Sequence, residues 1–368
     1  LEFRRVLFRS FDYIKSKGMK PGLWIALGMV DEHSNVYQGH PEWSVKDKEG
    51  RPTSLHDVSG GRFTTCMTTG WKDYIKNVIL NLVKEHGLEY VKLDLAIVTS
   101  AYMFDRTRSG CYAKDHSHND REESLLEIYR STWKLFDELH DEAPQLFIDC
   151  TFETMGALQM IDYDMCKHAE GNWLSNFEEP APRGSLRVRQ MGWWRTGAIP
   201  ATALVIGNQT MDDPNWETSM KSLMGTLPIM LGDPRKVSPK DQERMKAWST
   251  WMNEKQNKYN YMMFRQDLPG FCEPKEGRWD GWARINTENR EGGIIGIFRQ
   301  GGFQEISTIR VPGLDPASSY EIKRGPDNQK IGEFSGKELM EQGFEKRIIK
   351  TYGSEVFSVE RKEPNSDL

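Results

Sequence analysis

Apolar positions along the chain change period several times, and each change predicts an element. Phe11 to Lys17 reads as the end of a helix stopped by Gly18, and Gly22-Leu-Trp-Ile-Ala-Leu27 as a buried strand. Phe63 to Met67 reads as a short strand. Trp71, Tyr74, Ile75, Val78, Ile79, Leu82 and Val83 fall at helical spacing, and Gly87 breaks that helix. Tyr90-Val-Lys-Leu-Asp-Leu95 follows at once as a strand, then a long polar loop from Thr99 to Asn119. Leu125, Ile128, Tyr129, Trp133, Leu135, Phe136 and Leu139 mark a second amphipathic helix, and Gln145 to Cys150 a strand. Gly156–Tyr163 reads as a short helix, Asn172–Ser175 and Ala201–Ile206 as strands, and Met220–Leu231 as a helix ended by Gly232. Ser238-Pro-Lys-Asp241 opens another helix that runs through Trp251: Ser caps, Pro suits the first turn, and Asp takes the acidic place of a capping box.

The texture changes near residue 260. Ile294–Phe298, Ser307–Val311, Tyr320–Lys323 and Val356–Val359 are short, apolar or alternating, and separated by turn residues. Residues 11–257 therefore read as an α/β unit of strands alternating with helices, and 258–368 as a C-terminal antiparallel β-sandwich domain. Polar residues at the strand ends favour a (β/α)8 TIM-type barrel over a doubly wound sheet. No Gly-rich phosphate loop follows a strand, which speaks against a nucleotide site. Residues 1–10, Leu-Glu-Phe-Arg-Arg-Val-Leu-Phe-Arg-Ser, resemble a translated sequencing adapter and are left out of the fold reading.

Composition narrows the function classes. A net charge of -5 over 368 residues gives no basic surface for nucleic acid. No apolar run is long enough to span a bilayer. Twelve Trp suit sugar platforms as well as ordinary cores. Cys66, Cys111, Cys150, Cys166 and Cys272 are odd in number, scattered and without a CxxC, which argues against a disulfide framework and a zinc site. His116 and His118 lie two apart in a polar loop and could coordinate metal, but nothing nearby completes a site, so they read as loop histidines. Trp193 and Trp194 read as core. Trp279 and Trp282 read as hydrophobic packing of the β domain against the barrel rather than as an accessory sugar surface.

The chemistry concentrates at Lys92 and Asp94. Side chains two apart on a strand share a face, so an ammonium emerges beside a carboxylate and favours its ionised form. At the C-terminal end of a barrel strand, such a carboxylate suits a nucleophile. A plain strand-end salt bridge is the alternative.

Several segments in order resemble the melibiase-type α-galactosidases of glycoside hydrolase family 36. Gly18-Met-Lys-Pro-Gly-Leu-Trp24, Met29-Val30 and His40-Pro-Glu-Trp43 look like that family's second barrel strand and loop. Tyr90-Val-Lys-Leu-Asp94 resembles its Lys-Trp-Asp nucleophile motif, with Leu93 for Trp. Phe147-Ile-Asp-Cys150 is similar to Glu-Ser-Cys, Asn172-Trp-Leu-Ser-Asn176 to Trp-Thr-Ser-Asp, and Gly313-Leu-Asp315 to a Gly-Leu-Asp of the C-terminal domain. The resemblance implies a retaining glycosidase on a (β/α)8 barrel, with an oligosaccharide or glycoside as partner and no metal or organic cofactor. It assigns Asp94 as nucleophile and Lys92, Trp24, Arg62, Trp173 and Cys150 to the sugar site. In retaining enzymes a second carboxyl lies roughly 5–5.5 Å from the nucleophile.

Three departures qualify that expectation. Asn176 stands where the family has its acid/base Asp, and an amide has no titratable proton. Glu178 or Glu179 then supplies the proton, or Glu153 or Asp162 does, or the protein only binds sugars. Cys150 is followed by Thr-Phe-Glu-Thr instead of Gly-Gly-x-Arg, which leaves the sugar open. The family's first barrel strand is expected upstream of Phe11, so a chain of this extent is expected to be poorly stable and inactive alone. The compartment, self-association, and hydrolysis as against transglycosylation are not fixed by the sequence.

Overall fold

The structure is a computed structural model that describes residues 2–54, 61–96, 109–151, 163–177, 179–209 and 211–363, with side chains undescribed at 2–8, 175–177 and 208–209. The chain divides into two compact units, Leu1–Leu174 and Ser175–Leu368.

The first unit begins with α1 (Glu2–Ser16), β1 (Gly22–Ala26), β2 (Met29–Asp31), α2 (Asn35–Gly39), β3 (Arg62–Thr64), α3 (Trp71–His86) and β4 (Tyr90–Asp94). It continues with α4 (Arg121–Glu142), β5 (Phe147–Thr151), the short α5 (Met165–His168) and the start of β6 (Gly171–Phe177). Strands β1, β4, β5 and β6 pair in parallel in that order. Helix α3 buries Trp71, Ile75, Ile79, Leu82 and Val83 on one face and ends at Gly87, whose φ of 66° is the left-handed cap that a glycine takes without strain. Helix α4 starts where the Asp120 carboxylate accepts from the Glu123 amide at 2.8 Å. The two helices lay their apolar faces, with Val91 and Leu93, into one core. Outside that core, Lys72 and Lys76 both reach Glu138 at 2.8 Å.

Strand β1 is not the buried strand expected. Trp24 is 51% exposed and none of the five residues is fully buried, because among the described residues β1 pairs with β4 on one side only.

The second unit carries α6 (Arg183–Arg195), β7 (Leu204–Gln209), α7 (Trp216–Leu223), β8 (Leu227–Leu231) and α8 (Pro239–Tyr259). Strands β7 and β8 are parallel, in register from Val205↔Leu227 to Gln209↔Leu231. The helix expected over Met220–Leu231 is thus two elements, α7 and β8. Pro228 would remove a hydrogen bond inside a helix, and Gly225 just before it weakens the helix further. The cap predicted at Ser238 is present, its hydroxyl accepting from the Asp241 amide at 3.2 Å. Gly207-Asn-Gln209 forms the end of β7. The expected helix over Gly156–Tyr163 falls on residues 152–162, outside the described residues, apart from Tyr163.

The antiparallel part comprises β9 (Arg278–Ile285), β10 (Gly292–Gln300), β11 (Ile306–Ile309), β12 (Ser319–Arg324), β13 (Gln329–Ser335), α9 (Gly336–Glu341), β14 (Phe344–Arg347) and β15 (Ser354–Arg361). Five strands form one sheet in the order β13-β12-β15-β10-β9, and β11 pairs with β14. A side chain at Gly296 would place its Cβ 2.4 Å from the Trp282 ring, so this central strand needs glycine there. Both Trp279 and Trp282 are buried: Trp282 packs with Trp216, Met220 and Trp248, as expected, whereas Trp279 packs within the β domain's own core. Trp194, expected in the core, is 57% exposed and donates its indole N–H to Glu273 at 2.9 Å, while Trp193 is half-buried beneath Arg265. The polar edge of its indole is satisfied at the surface, where a core position would have needed a buried acceptor.

Candidate active site

The C-terminal ends of β1, β4, β5 and β6 bring several of the expected residues together. In parallel pairing, partners in register share a face. Trp24 faces Lys92, Lys92 faces Asp149, and Ala26 faces Asp94. Tyr90, Lys92 and Asp94 therefore look one way, while Val91 and Leu93 look into the helix-packed core.

Asp94 is held at both oxygens. The Trp24 indole N–H donates to Oδ2 at 2.9 Å, and the Leu95 amide donates to Oδ1 at 2.8 Å. Lys92 Nζ stands 3.6 Å from Oδ2, an ion pair without a tight hydrogen bond. The same ammonium lies 3.6 Å above the Trp173 ring, where the π face attracts it. Leu95 adopts φ 53°, a left-handed conformation uncommon for a residue with a branched side chain. That turn brings its own amide back onto the Asp94 carboxylate.

Asp149 was not singled out for a role in the sequence, yet it is fully buried next to this pair. The Tyr90 hydroxyl donates to its Oδ2 at 2.5 Å. Burial pushes its carboxyl up to about 6, with the nearby Asp94 adding to the rise, while the Tyr90 hydrogen bond and Lys92 pull against it. Burial and the charge of Asp149 also push the Tyr90 phenol up. A folded-state value above that of the unfolded chain means stability is lost as pH rises. Below about pH 4 the group is protonated in both states, and between about 4 and about 6 the unfolded chain releases its proton first. We expect Asp149→Asn to remove a loss of about 3 kcal/mol across that window. Denaturant unfolding of both proteins at pH 4 and pH 7 checks this: equal pH slopes would contradict it. The signal in the sequence was the alternation Tyr90, Lys92, Asp94; Asp149 joins them only through the β4–β5 register.

Cys150 and Arg62 are not brought to this face. Cys150 pairs in register with Leu93 and packs in the apolar core on the opposite side of the sheet. Arg62 is exposed on β3, opposite Asp31 in a separate two-stranded ribbon. Asn176 lies on β6, three residues after Trp173, and its side chain is outside the described residues. Glu153, Asp162 and Glu178 also lie outside them. Glu179 is described, and pairs with Arg183 at 3.2 Å.

The sequence profile of the Melibiase family matches residues 5–259. The chain belongs to the melibiase family. Among curated relatives of this melibiase-family chain, Alpha-galactosidase AgaA of Geobacillus stearothermophilus is 23% identical over 90% of the chain and 42% of its own length. The Bifunctional alpha-galactosidase/sucrose kinase AgaSK of Mediterraneibacter gnavus is 21% identical over 90% of the chain and 32% of its own length. The chain thus spans less than half the length of these relatives. Among solved structures, the GH36 alpha-galactosidase AgaB of Geobacillus stearothermophilus superposes with a TM-score of 0.71 at 18% identity, over 95% of this chain and 45% of that one. These likenesses establish the fold, a TIM-type barrel of parallel βα units followed by a C-terminal antiparallel sheet domain.

One expectation about metal is corrected by the structure. His116 and His118 are not isolated: Cys66 and Cys111 join them, with one ligand atom from each of the four within 4.8 Å of the others. Cys111, His116 and His118 share one stretch, but Cys66 joins them from a segment far away in sequence, which spacing alone does not show. Among the described residues, no helix is long and apolar enough to cross a membrane.

Proposed function

We propose that the natural protein is a retaining glycoside hydrolase that removes terminal α-linked galactose, with Asp94 as its nucleophile. The observation that carries this reading is the Asp94 carboxylate at the end of a parallel strand, oriented through both oxygens and flanked by Lys92. Such a carboxylate attacks the anomeric carbon and forms a covalent glycosyl ester as the bond to the leaving oxygen breaks. A second carboxyl gives that oxygen its proton, then takes one from the water that hydrolyses the ester. Lys92 is suited to hold sugar hydroxyls beside the nucleophile, and the buried Trp173 ring braces its ammonium. Asp149 is a positioning residue in this scheme, anchoring Tyr90 beneath Lys92. The acid/base falls to Glu178, Glu153 or Asp162 in place of Asn176; Glu179 is already engaged by Arg183. Structures of AgaA carry raffinose and stachyose, which makes α-galactosyl oligosaccharides the substrate class we propose.

The test is a panel of aryl α-glycosides given to the full natural chain, with phenol release followed. Release from the α-galactoside, with α-galactose as the first product by NMR, is the expected result. No release from any sugar by a folded protein supports the second reading, a sugar-binding protein on the same barrel, which Asn176 favours. In the active protein, Trp24→Phe removes one charge-assisted hydrogen bond to Asp94. We expect kcat/KM to fall roughly 10- to 100-fold, since such bonds are worth about 1.5–3 kcal/mol. An unchanged value would remove Trp24 from the site.

A further inference from the structure

We propose that Cys66, Cys111, His116 and His118 form a structural Zn2+ site that ties the segment after β3 to the segment leading into α4. The claim is independent of the glycosidase reading, whose proton chemistry needs no metal.

The donor set is the first reason. Two thiolates and two imidazoles are the ligands of closed, four-coordinate zinc sites, and two thiolate charges balance the divalent ion. Charge balance matters because both cysteines are fully buried and His118 is 7% exposed. Zinc–sulfur and zinc–nitrogen bonds of about 2.3 and 2.0–2.1 Å give tetrahedral edges of about 3.3–3.8 Å. The four donor atoms already lie within 4.8 Å of one another, so closure needs about 1 Å at the widest pair.

The surroundings are the second reason. His118 is buried with neither ring nitrogen bonded among the described residues, which is costly without a ligand to hold. His116 contacts the Glu42 carbonyl through Nε2 at 2.7 Å. A carbonyl only accepts, so Nε2 carries the proton and Nδ1 is left as the lone-pair donor. That Nδ1 stands 3.4 Å from Cys111 Sγ. The Lys46 amide donates to Cys111 Sγ at 3.4 Å, and Thr68 Oγ1 lies 3.1 Å from Cys66 Sγ, contacts suited to thiolate sulfur. These outer partners orient all but one of the ligands, as second-shell groups do at metal sites.

The backbone around the cluster is already braced. The Cys66 amide donates to the Trp43 carbonyl at 2.9 Å and the Tyr112 amide to the Lys46 carbonyl at 2.9 Å. The Cys111 amide donates to Ser124 Oγ at 2.8 Å, at the first turn of α4. A metal here fixes the far end of the connection that starts directly after Asp94.

The test is metal analysis of the full natural chain purified without added metal or chelator. One equivalent of zinc is expected. After exchange with Co2+, thiolate-to-cobalt charge-transfer bands and the intense visible bands of a tetrahedral ion are expected. Cys66→Ser and His118→Ala should each abolish or strongly weaken Co2+ binding, while Cys272→Ser, at an exposed cysteine, should not. If a variant fails to fold, the wild type still decides: native thiol counting should show Cys66 and Cys111 protected until a chelator removes the metal. No bound metal, a Cys66–Cys111 disulfide in the purified protein, or binding that survives loss of both Cys66 and His118 would each overturn the proposal.

Discussion

Asp94→Ala in the full natural chain is expected to lower release of phenol from an aryl α-galactoside by about 10^4-fold or more, as loss of a covalent nucleophile does. The variant should unfold at nearly the wild-type denaturant midpoint, because the carboxylate is partly solvated at the strand end. A small anion such as azide should restore part of the rate, since it fits the space left by the carboxylate and can attack the anomeric carbon. The product is then a β-galactosyl azide, of inverted configuration. That rescue separates a nucleophile from a structural acid: a residue that only held Trp24 and Leu95 in place would not be replaced by azide. Activity retained within tenfold would remove Asp94 from the mechanism.

The second large effect is on stability and concerns the other unit. Arg189 on α6 and Asp280 on β9 form a two-point ion pair at 2.6 and 2.9 Å, with side-chain exposures of 2% and 0%. The guanidinium also reaches Ser222 Oγ at 3.0 Å and Gln300 Oε1 at 2.9 Å, and lies 4.0 Å from the centre of the Phe298 ring. Asp280→Ala leaves this cation buried without its counter-charge, and we expect about 3–5 kcal/mol of lost stability in denaturant unfolding. Arg189→Met together with Asp280→Leu should cost much less than the single loss, because neither charge is then stranded. A loss below about 1 kcal/mol for Asp280→Ala would show that water or a rearranged partner relieves the charge.

The parts that were legible in the sequence are those set by short-range rules. Gly87 and the alternation after it fix β4 and the shared face of Lys92 and Asp94. Ser238-Pro239 fixes the start of α8. The Met220–Leu231 run misled because its apolar stretches, Leu223-Met224 and Leu227 to Leu231, are too short for their period to separate a helix from a strand, and Pro228 decided the matter. Strands β9, β13 and β14 went unread, β9 because it is buried along nearly its whole length and shows no alternation. The site divides the same way. Trp24, Lys92, Asp94 and Trp173 could be named from motif order, and the structure gathers them. Cys150 could be named but faces the core, since one residue of register turns a strand side chain to the other face. The place of Asp149 beside Lys92, and of Cys66 beside Cys111, His116 and His118, depends on the meeting of distant segments, which no local pattern encodes.

The central claim is that Asp94 bonds covalently to the sugar. Its most direct test is to incubate the full natural chain with a 2-deoxy-2-fluoro α-galactosyl donor bearing a good leaving group, then digest at low pH and sequence the labelled peptide by mass spectrometry. The fluorine slows hydrolysis of the ester by disfavouring positive charge at the neighbouring carbon, so the intermediate accumulates. The expected result is a fluorogalactosyl adduct on the peptide containing Tyr90–Leu95, with fragment masses placing it on Asp94 and no adduct in Asp94→Ala. An adduct on another carboxylate, or none from a preparation that turns over aryl α-galactosides, would contradict it.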